Sequence, residues 1–361
     1  MNLPTPLPAD FGHDALDRFL IVRRGRIGKK RGMPDAATVT IHKSQFPEHV
    51  LRNLKESLRV RRVNHKFHYD TVKQAQKWLR LHQAYSPSRT DPDCFSAYER
   101  SFQRAVTMTA PGRTQLIGLG CGGGQKDTRL LKLLSEQGRE VYYLPVDVST
   151  PLVLVARNAA LAVIPKENCS PLVCDLAEME ELGALLNTFA VSGASRLLTF
   201  FGMIPNFRPH VILPRLASTV QGSDLLLFSA NLAPGLDYAA GVQRILPLYD
   251  NEMTREWLVT FLLDLGVNRE DGMVRIGIAE LPQESGLRRV EAWFHFQRGV
   301  RLQIDDEEFA FEPGEKVLLF FSYRHTVATI QTLLASQGLR VMENWITASG
   351  EEGLFLVARD R

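Results

Sequence analysis

From residue 112 onward, short apolar runs alternate with stretches of helical spacing, and this alternation constrains the fold more than any other feature of the chain. Strand and helix in regular succession build a parallel sheet covered on both faces, whose strands read as unbroken apolar runs because neither face meets water. Runs at 114–119, 141–146, 172–174, 196–201 and 224–229 have that character and are predicted to be parallel strands. Between 232 and about 317 the rhythm stops. A helix over 254–265 and β-rich segments at 290–296 and 300–311 replace it, as expected of an inserted second domain. A helix over 326–336 follows, and strands at 339–347 and 353–358, separated by Ala348-Ser349-Gly350, predict a terminal β-hairpin. Upstream, Val50, Leu51, Leu54 and Leu58 recur at helical spacing. A second helical stretch at 71–82 is broken by Tyr85-Ser86-Pro87, since the residue before proline avoids the helical region.

The 361 residues, 45% hydrophobic and 23% charged, suffice for one large domain or two moderate ones. A net charge of +3 does not make the whole chain a nucleic-acid binder. The charge is uneven, with Arg23, Arg24, Arg26, Lys29, Lys30 and Arg31 crowded into an N-terminal extension, residues 1–38. No aromatic residues interleave with these cations, so a solvated leader is expected there in preference to a phosphate-gripping arm. Cys94, Cys121, Cys169 and Cys174 show no metal-ligand spacing and are read as reduced thiols; no metal is expected. No apolar run is long enough to span a bilayer and no leader pattern opens the chain, so the expectation is a cytoplasmic protein with a small-molecule substrate and without a membrane or nucleic-acid partner.

The segment from Leu116 to Lys126 runs from the first predicted strand through Gly118, Gly120, Gly122, Gly123 and Gly124 into a helix. Glycine is needed where the backbone turns tightly and comes close to a ligand, so the loop is a ligand cradle. Its spacing fits a dinucleotide fingerprint as well as an S-adenosylmethionine loop. Asp147 closes the second strand, where a carboxylate accepts both ribose hydroxyls of an adenosine, and Asp175 closes the third, beside Leu176, where a side chain can accept from the adenine amine. Either aspartate could instead cap a helix. The terminal hairpin favours methyl transfer, since a dinucleotide-binding dehydrogenase needs a second parallel half-sheet.

Together these residues resemble the histidine-specific, S-adenosylmethionine-dependent methyltransferases over roughly residues 40–361. The resemblance is carried by His68-Tyr69-Asp70, Tyr85-Ser86-Pro87-Ser88-Arg89-Thr90, Leu119-Gly120-Cys121-Gly122 with Lys126, and Val146-Asp147-Val148-Ser149. Further on come Phe201-Gly202-Met203-Ile204-Pro205-Asn206-Phe207, Leu248-Tyr249-Asp250-Asn251, and Gly314-Glu315-Lys316 leading to Ser322. The resemblance implies an α/β fold with a Rossmann-like class I methyltransferase core, its sheet seven-stranded with the last strand antiparallel. A second α+β domain would combine residues 39–90 with an insertion, 232–322, and the core would comprise 91–231 and 323–361. It also implies S-adenosylmethionine as cofactor, held by Gly118, Gly120, Gly122, Lys126, Asp147, Asp175 and Leu176. Tyr85, Asn206 and Tyr249 would hold the amino and carboxylate groups of an amino acid, with Asn206 and Tyr249 as the catalytic positions.

Two departures narrow the expectation. Gly118 stands where the family has an acidic residue, and Phe320 stands where a glutamate pairs with a serine two residues on, here Ser322, to grip imidazole. An imidazole against Phe320 would leave a polar nitrogen unmet, at a cost of about 1 to 3 kcal/mol. The expected activity is therefore N-methylation of an amino acid or a similar small molecule other than histidine, with Trp293 and Phe320 as apolar or aromatic pocket walls. His65, His68 and His325 are candidate bases. The alternatives are a natural-product methyltransferase whose substrate lacks an amino-acid head, and a non-catalytic S-adenosylmethionine-binding protein with a basic partner-binding arm.

Overall fold

The computed structural model describes residues 36–281 and 286–360, and the basic stretch at 23–31 lies outside them. The described chain opens with strand β1 (Thr40–Ile41) and helix α1 (Pro47–Arg59), followed by α2 (Val72–Tyr85), a short α3 (Pro87–Thr90) and α4 (Pro92–Met108). Local chemistry sets these ends. Thr71 and Gln74 form a reciprocal capping box at the start of α2, while Asp91 caps α4 with Pro92 in its first turn, where no amide hydrogen is needed.

The alternating region then supplies β2 (Arg113–Leu119), α5 (Gln125–Glu136), β3 (Glu140–Asp147), α6 (Thr150–Ala160), β4 (Leu172–Val173), α7 (Leu182–Asn187), β5 (Ser195–Phe201), α8 (Pro209–Thr219) and β6 (Leu225–Asn231). Beyond these lie α9 (Tyr238–Ile245), α10 (Glu252–Asp264), β7 (Gly272–Leu281), β8 (Leu287–Phe296), β9 (Val300–Ile304), β10 (Glu307–Phe311) and β11 (Lys316–Arg324). The chain finishes with α11 (Val327–Ala335), β12 (Leu339–Ile346) and β13 (Glu352–Arg359).

The main sheet runs β1-β4-β3-β2-β5-β6-β13-β12. All neighbours from β1 to β6 are parallel, and β13 inserts antiparallel between β6 and β12. The seven expected strands are present in the expected sense. The eighth, β1, is an addition from the N-terminal segment, which extends the edge beside β4. Successive residues of each central strand go to opposite faces: Ile117, Leu198 and Phe228 join one apolar cluster, and Leu116, Leu197 and Leu227 the other.

The segment after β6 leaves the sheet at Leu232 and returns at His325, where the two residues bridge side by side. It contains a separate antiparallel sheet, β7-β8-β11, and the β9–β10 hairpin. One face of this sheet shares an apolar cluster with α10 and with Leu58, Val63 and Phe67 from the N-terminal segment. In β11 the register slips by one residue: Leu318 pairs with Trp293, but Phe320 pairs with Ala292. Leu319 is the extra residue of a β-bulge, which places Leu318 and Phe320 on opposite faces. Among the described residues no helix is long and apolar enough to cross a membrane.

Candidate active site

The glycine loop joins β2 to α5 at the C-terminal edge of the main sheet, where open α/β sheets place their ligands. Gly120, Gly122 and Gly124 have φ of 66°, 52° and 72°, in the left-handed region that side chains disfavour. The amides of Gly120 and Cys121 both donate to the Val146 carbonyl, tying the bend to β3. Asp147, at the end of β3, is buried; Oδ2 accepts from the Gly122 amide at 2.9 Å and Oδ1 from the Ser149 amide at 3.0 Å. Burial pushes its carboxyl up to about 6, and those backbone donors hold it from rising further. Each carboxylate oxygen retains a second acceptor site. A Cβ on Gly122 would lie 2.9 Å from the Trp78 ring, so α2 roofs the bend closely.

Gly118 is placed differently from the expectation. It lies inside β2, paired with Pro145 and Thr199, and a side chain there would run into the Asp127 carboxylate. Asp127 accepts from Tyr143 Oη at 2.7 Å and Thr199 Oγ1 at 2.8 Å, and burial raises its carboxyl to about 6. Gly118 therefore makes room for a buried acid and does not face a ligand. Lys126 extends to Tyr98, donating to its hydroxyl at 2.7 Å, with Glu352 3.9 Å away. Asp175 Oδ1 accepts from the Ala177 amide, while Oδ2 is buried without a hydrogen bond, with Lys66 Nζ at ion-pair distance, 3.3 Å. The Leu176 side chain is part of the core.

The glycine bend and the spare acceptor sites of Asp147 fit an adenosine with its ribose hydroxyls on Asp147, and Asp175 Oδ2, ion-paired with Lys66 but without a hydrogen bond, has lone-pair capacity for the adenine amine.

The other predicted residues divide into two groups. Tyr249 follows α9, and its hydroxyl lies 2.8 Å from Ser322 Oγ on β11. Phe320, two residues before Ser322, stacks on His65 at 5.0 Å between ring centroids and also borders Trp257 and Tyr249. Asn206 ends the turn Ile204–Asn206 that packs on β11, and its side-chain amide has no partner among the described residues. Tyr249, Ser322 and Phe320 adjoin one another, and the turn that ends in Asn206 packs on the strand that carries Phe320 and Ser322. Two expected members are not with them. Tyr85, at the C-terminal end of α2, is exposed and forms no hydrogen bond or ring contact among the described residues. Trp293 belongs to the opposite face of the second sheet, beside Leu318, Phe321 and Lys316, because the bulge at Leu319 separates that face from Phe320.

His68 and His325 are buried and His65 is half-buried. Desolvation lowers His68 and His325 to about 4 and His65 well below its usual value, so all three are neutral at pH 7. A residue the sequence reading missed is Arg324, whose Nη2 donates to Tyr249 Oη at 2.7 Å. Strand periodicity could have located it, since Phe320, Ser322 and Arg324 alternate along β11.

A dinucleotide-binding sheet would continue past β6 with a second parallel half; here β13 ends it antiparallel, and the fold is that of a class I S-adenosylmethionine-dependent methyltransferase. The family model described as "Histidine-specific methyltransferase, SAM-dependent" matches residues 46–359, and the chain belongs to that family. It is 26% identical over 293 residues to the histidine N-alpha-methyltransferase of Mycolicibacterium smegmatis, covering 76% of this chain and 83% of that protein. It is 22% identical over 275 residues to the N-methyltransferase imqF of Aspergillus flavus, covering 74% of this chain and 73% of that one. Among solved structures, the CcbJ methyltransferase from Streptomyces caelestis is a loose likeness at 12% identity and a TM-score of 0.38, over 73% of this chain and 90% of that one.

Proposed function

We propose that this methyltransferase N-methylates an amino acid, or a small molecule with an amino-acid head, whose side chain is apolar or aromatic and is not imidazole. The observation that carries the reading is the Phe320 ring beside Ser322 and Tyr249. That wall offers dispersion contact and no hydrogen-bond acceptor, so it favours a hydrocarbon or aromatic side chain over imidazole. Residues 39–90 and 232–322 would form the substrate-binding part. Asn206 and Tyr249 would orient the amino and carboxylate groups, since an amide oxygen accepts from an amine and a phenol donates to a carboxylate. Gly120, Gly122, Lys126, Asp147 and Asp175 would hold the cofactor.

S-adenosylmethionine supplies an already activated methyl group when bound. The residues of the chain then need to align a neutral amine in a dry site. His65 is a poor candidate for taking up the amine proton, because burial disfavours its charged form and its Nε2 accepts from the Phe321 amide at 3.4 Å.

The test is a competition among methyl acceptors. Purified protein with S-adenosylmethionine is expected to methylate at least one of tryptophan, tyrosine, phenylalanine and leucine with a higher kcat/KM than histidine. Faster turnover of histidine than of all four ends this reading.

A further inference from the structure

We infer that Arg324 is a positioning residue that makes an acidic group on the methyl acceptor a requirement, acting through the hydroxyl of Tyr249. The inference rests on the reading just proposed and adds a charge to it.

Arg324 is the last residue of β11 and is 2% exposed. Its Nη2 donates to Tyr249 Oη at 2.7 Å, its Nη1 reaches the Leu232 carbonyl at 3.4 Å, and its guanidinium carbon lies 5.2 Å from the Tyr249 ring centre. Nε is buried with no hydrogen-bond partner. Other buried or nearly buried cations are matched by carboxylates: Lys66 by Asp175 at 3.3 Å, Arg289 by Glu291 at 2.6 Å and Arg196 by Asp224 at 3.6 Å. Among the described residues, no carboxylate lies within ion-pair distance of Arg324.

A guanidinium cannot relieve this situation by losing its proton. A buried charge without a counter-charge is destabilising, and the strain disappears when an anion arrives. Donor bookkeeping indicates where that anion would sit. The guanidinium always donates, so Tyr249 Oη accepts from it, and the single phenolic proton is left for Ser322 Oγ, 2.8 Å away, or for a ligand. When a carboxylate enters beside Tyr249, the phenol turns its proton to the ligand and Ser322 donates to the phenol in its place. The positive charge one phenol behind strengthens that donor. A neutral head group has no such reward and leaves the cation unmatched.

The experiment compares acid and amide forms of one acceptor. Binding of L-tryptophan, L-tryptophanamide and tryptamine is titrated calorimetrically into the full-length protein saturated with S-adenosylhomocysteine. The same acid and amide comparison is made with L-histidine, so that a failure of the side-chain reading does not remove the test of Arg324. The wild type is expected to prefer the acid by about 10- to 100-fold, the range of a hydrogen bond to a charged group. Arg324→Met is expected to reduce that preference to less than about threefold with S-adenosylhomocysteine affinity unchanged, and Arg324→Lys to restore part of it. Tyr249→Phe, which leaves the cation in place and removes the link, is expected to lose the preference as well, and it serves as the test if Arg324→Met does not fold. Equal binding of acid and amide by the wild type overturns the inference. So does an acid preference that survives either substitution, or a failure of every carboxylate compound to bind.

Discussion

Asp147 is asked to do two things, and its environment sets the pH at which it can do them. It braces the glycine bend through Gly122 and, in the proposed reading, would accept both ribose hydroxyls as a carboxylate. Burial puts its carboxyl at about 6, so it is charged above that pH and takes up a proton below it, losing acceptor capacity. The affinity for S-adenosylhomocysteine is therefore expected to be flat above pH 7 and to weaken about tenfold between pH 7 and pH 5. His82, lowered to about 3, and His68 and His325, at about 4, do not titrate in that window. Asp127 does, but it faces Tyr143 and Thr199. Calorimetry on Asp147→Asn checks the assignment: its profile should be flat, and a slope that persists would place the titration elsewhere. Asp147 was legible from its position at a strand end, and Phe320 from its departure from the family pattern. Asp127 was not, because nothing local links a helix residue to the glycine nine positions earlier whose missing side chain it needs.

At the level of elements, the site is held by the ends of regular structure. Asn251 caps α10, accepting from the Thr254 amide at 2.9 Å, and its own amide donates to the Leu248 carbonyl at 3.0 Å. It thus ties the turn carrying Tyr249 to the first turn of a buried helix. Asn251→Ala is expected to cost about 1 kcal/mol in urea denaturation. It should also raise the acceptor KM while S-adenosylhomocysteine affinity stays within about twofold. A stability loss with unchanged KM would show that Tyr249 is positioned without the cap. The repeated strands were legible because continuous apolar runs leave few alternatives. Helix α4 is not among the elements expected from the sequence, although Cys94, Ala97, Tyr98, Ser101, Phe102 and Ala105 all point into the core and Asp91 and Pro92 stand at its start. Those same residues are its cap and first turn.

Across the whole molecule, the N-terminal segment is joined to both sheets. β1 extends the main sheet, Ser44 Oγ accepts from the Asp175 amide at 3.0 Å, Ser149 Oγ donates to the Tyr69 carbonyl at 2.6 Å, and Arg62 bridges to Leu318 of the second sheet. The buried Lys66–Asp175 pair is part of this joint. Removing one partner strands the other's charge, so Lys66→Met and Asp175→Asn are each expected to cost about 3 kcal/mol, and the double variant clearly less than their sum. Additive losses in a double-mutant cycle would mean that the two charges are stabilised independently. By itself, the amino-acid order determined the parallel sheet, its antiparallel closing strand, the glycine bend and a phenylalanine at position 320, because each depends on periodicity or residue type over a short span. Only the tertiary structure decided which side chains meet. Strict alternation would put Leu318 and Phe320 on one face, with Trp293 beside them. One extra residue in β11 turned Phe320 toward Tyr249 and left Trp293 behind, and it brought Ser322 and Arg324 to the same phenol. A bulge is a property of two paired strands and leaves no mark in either one alone.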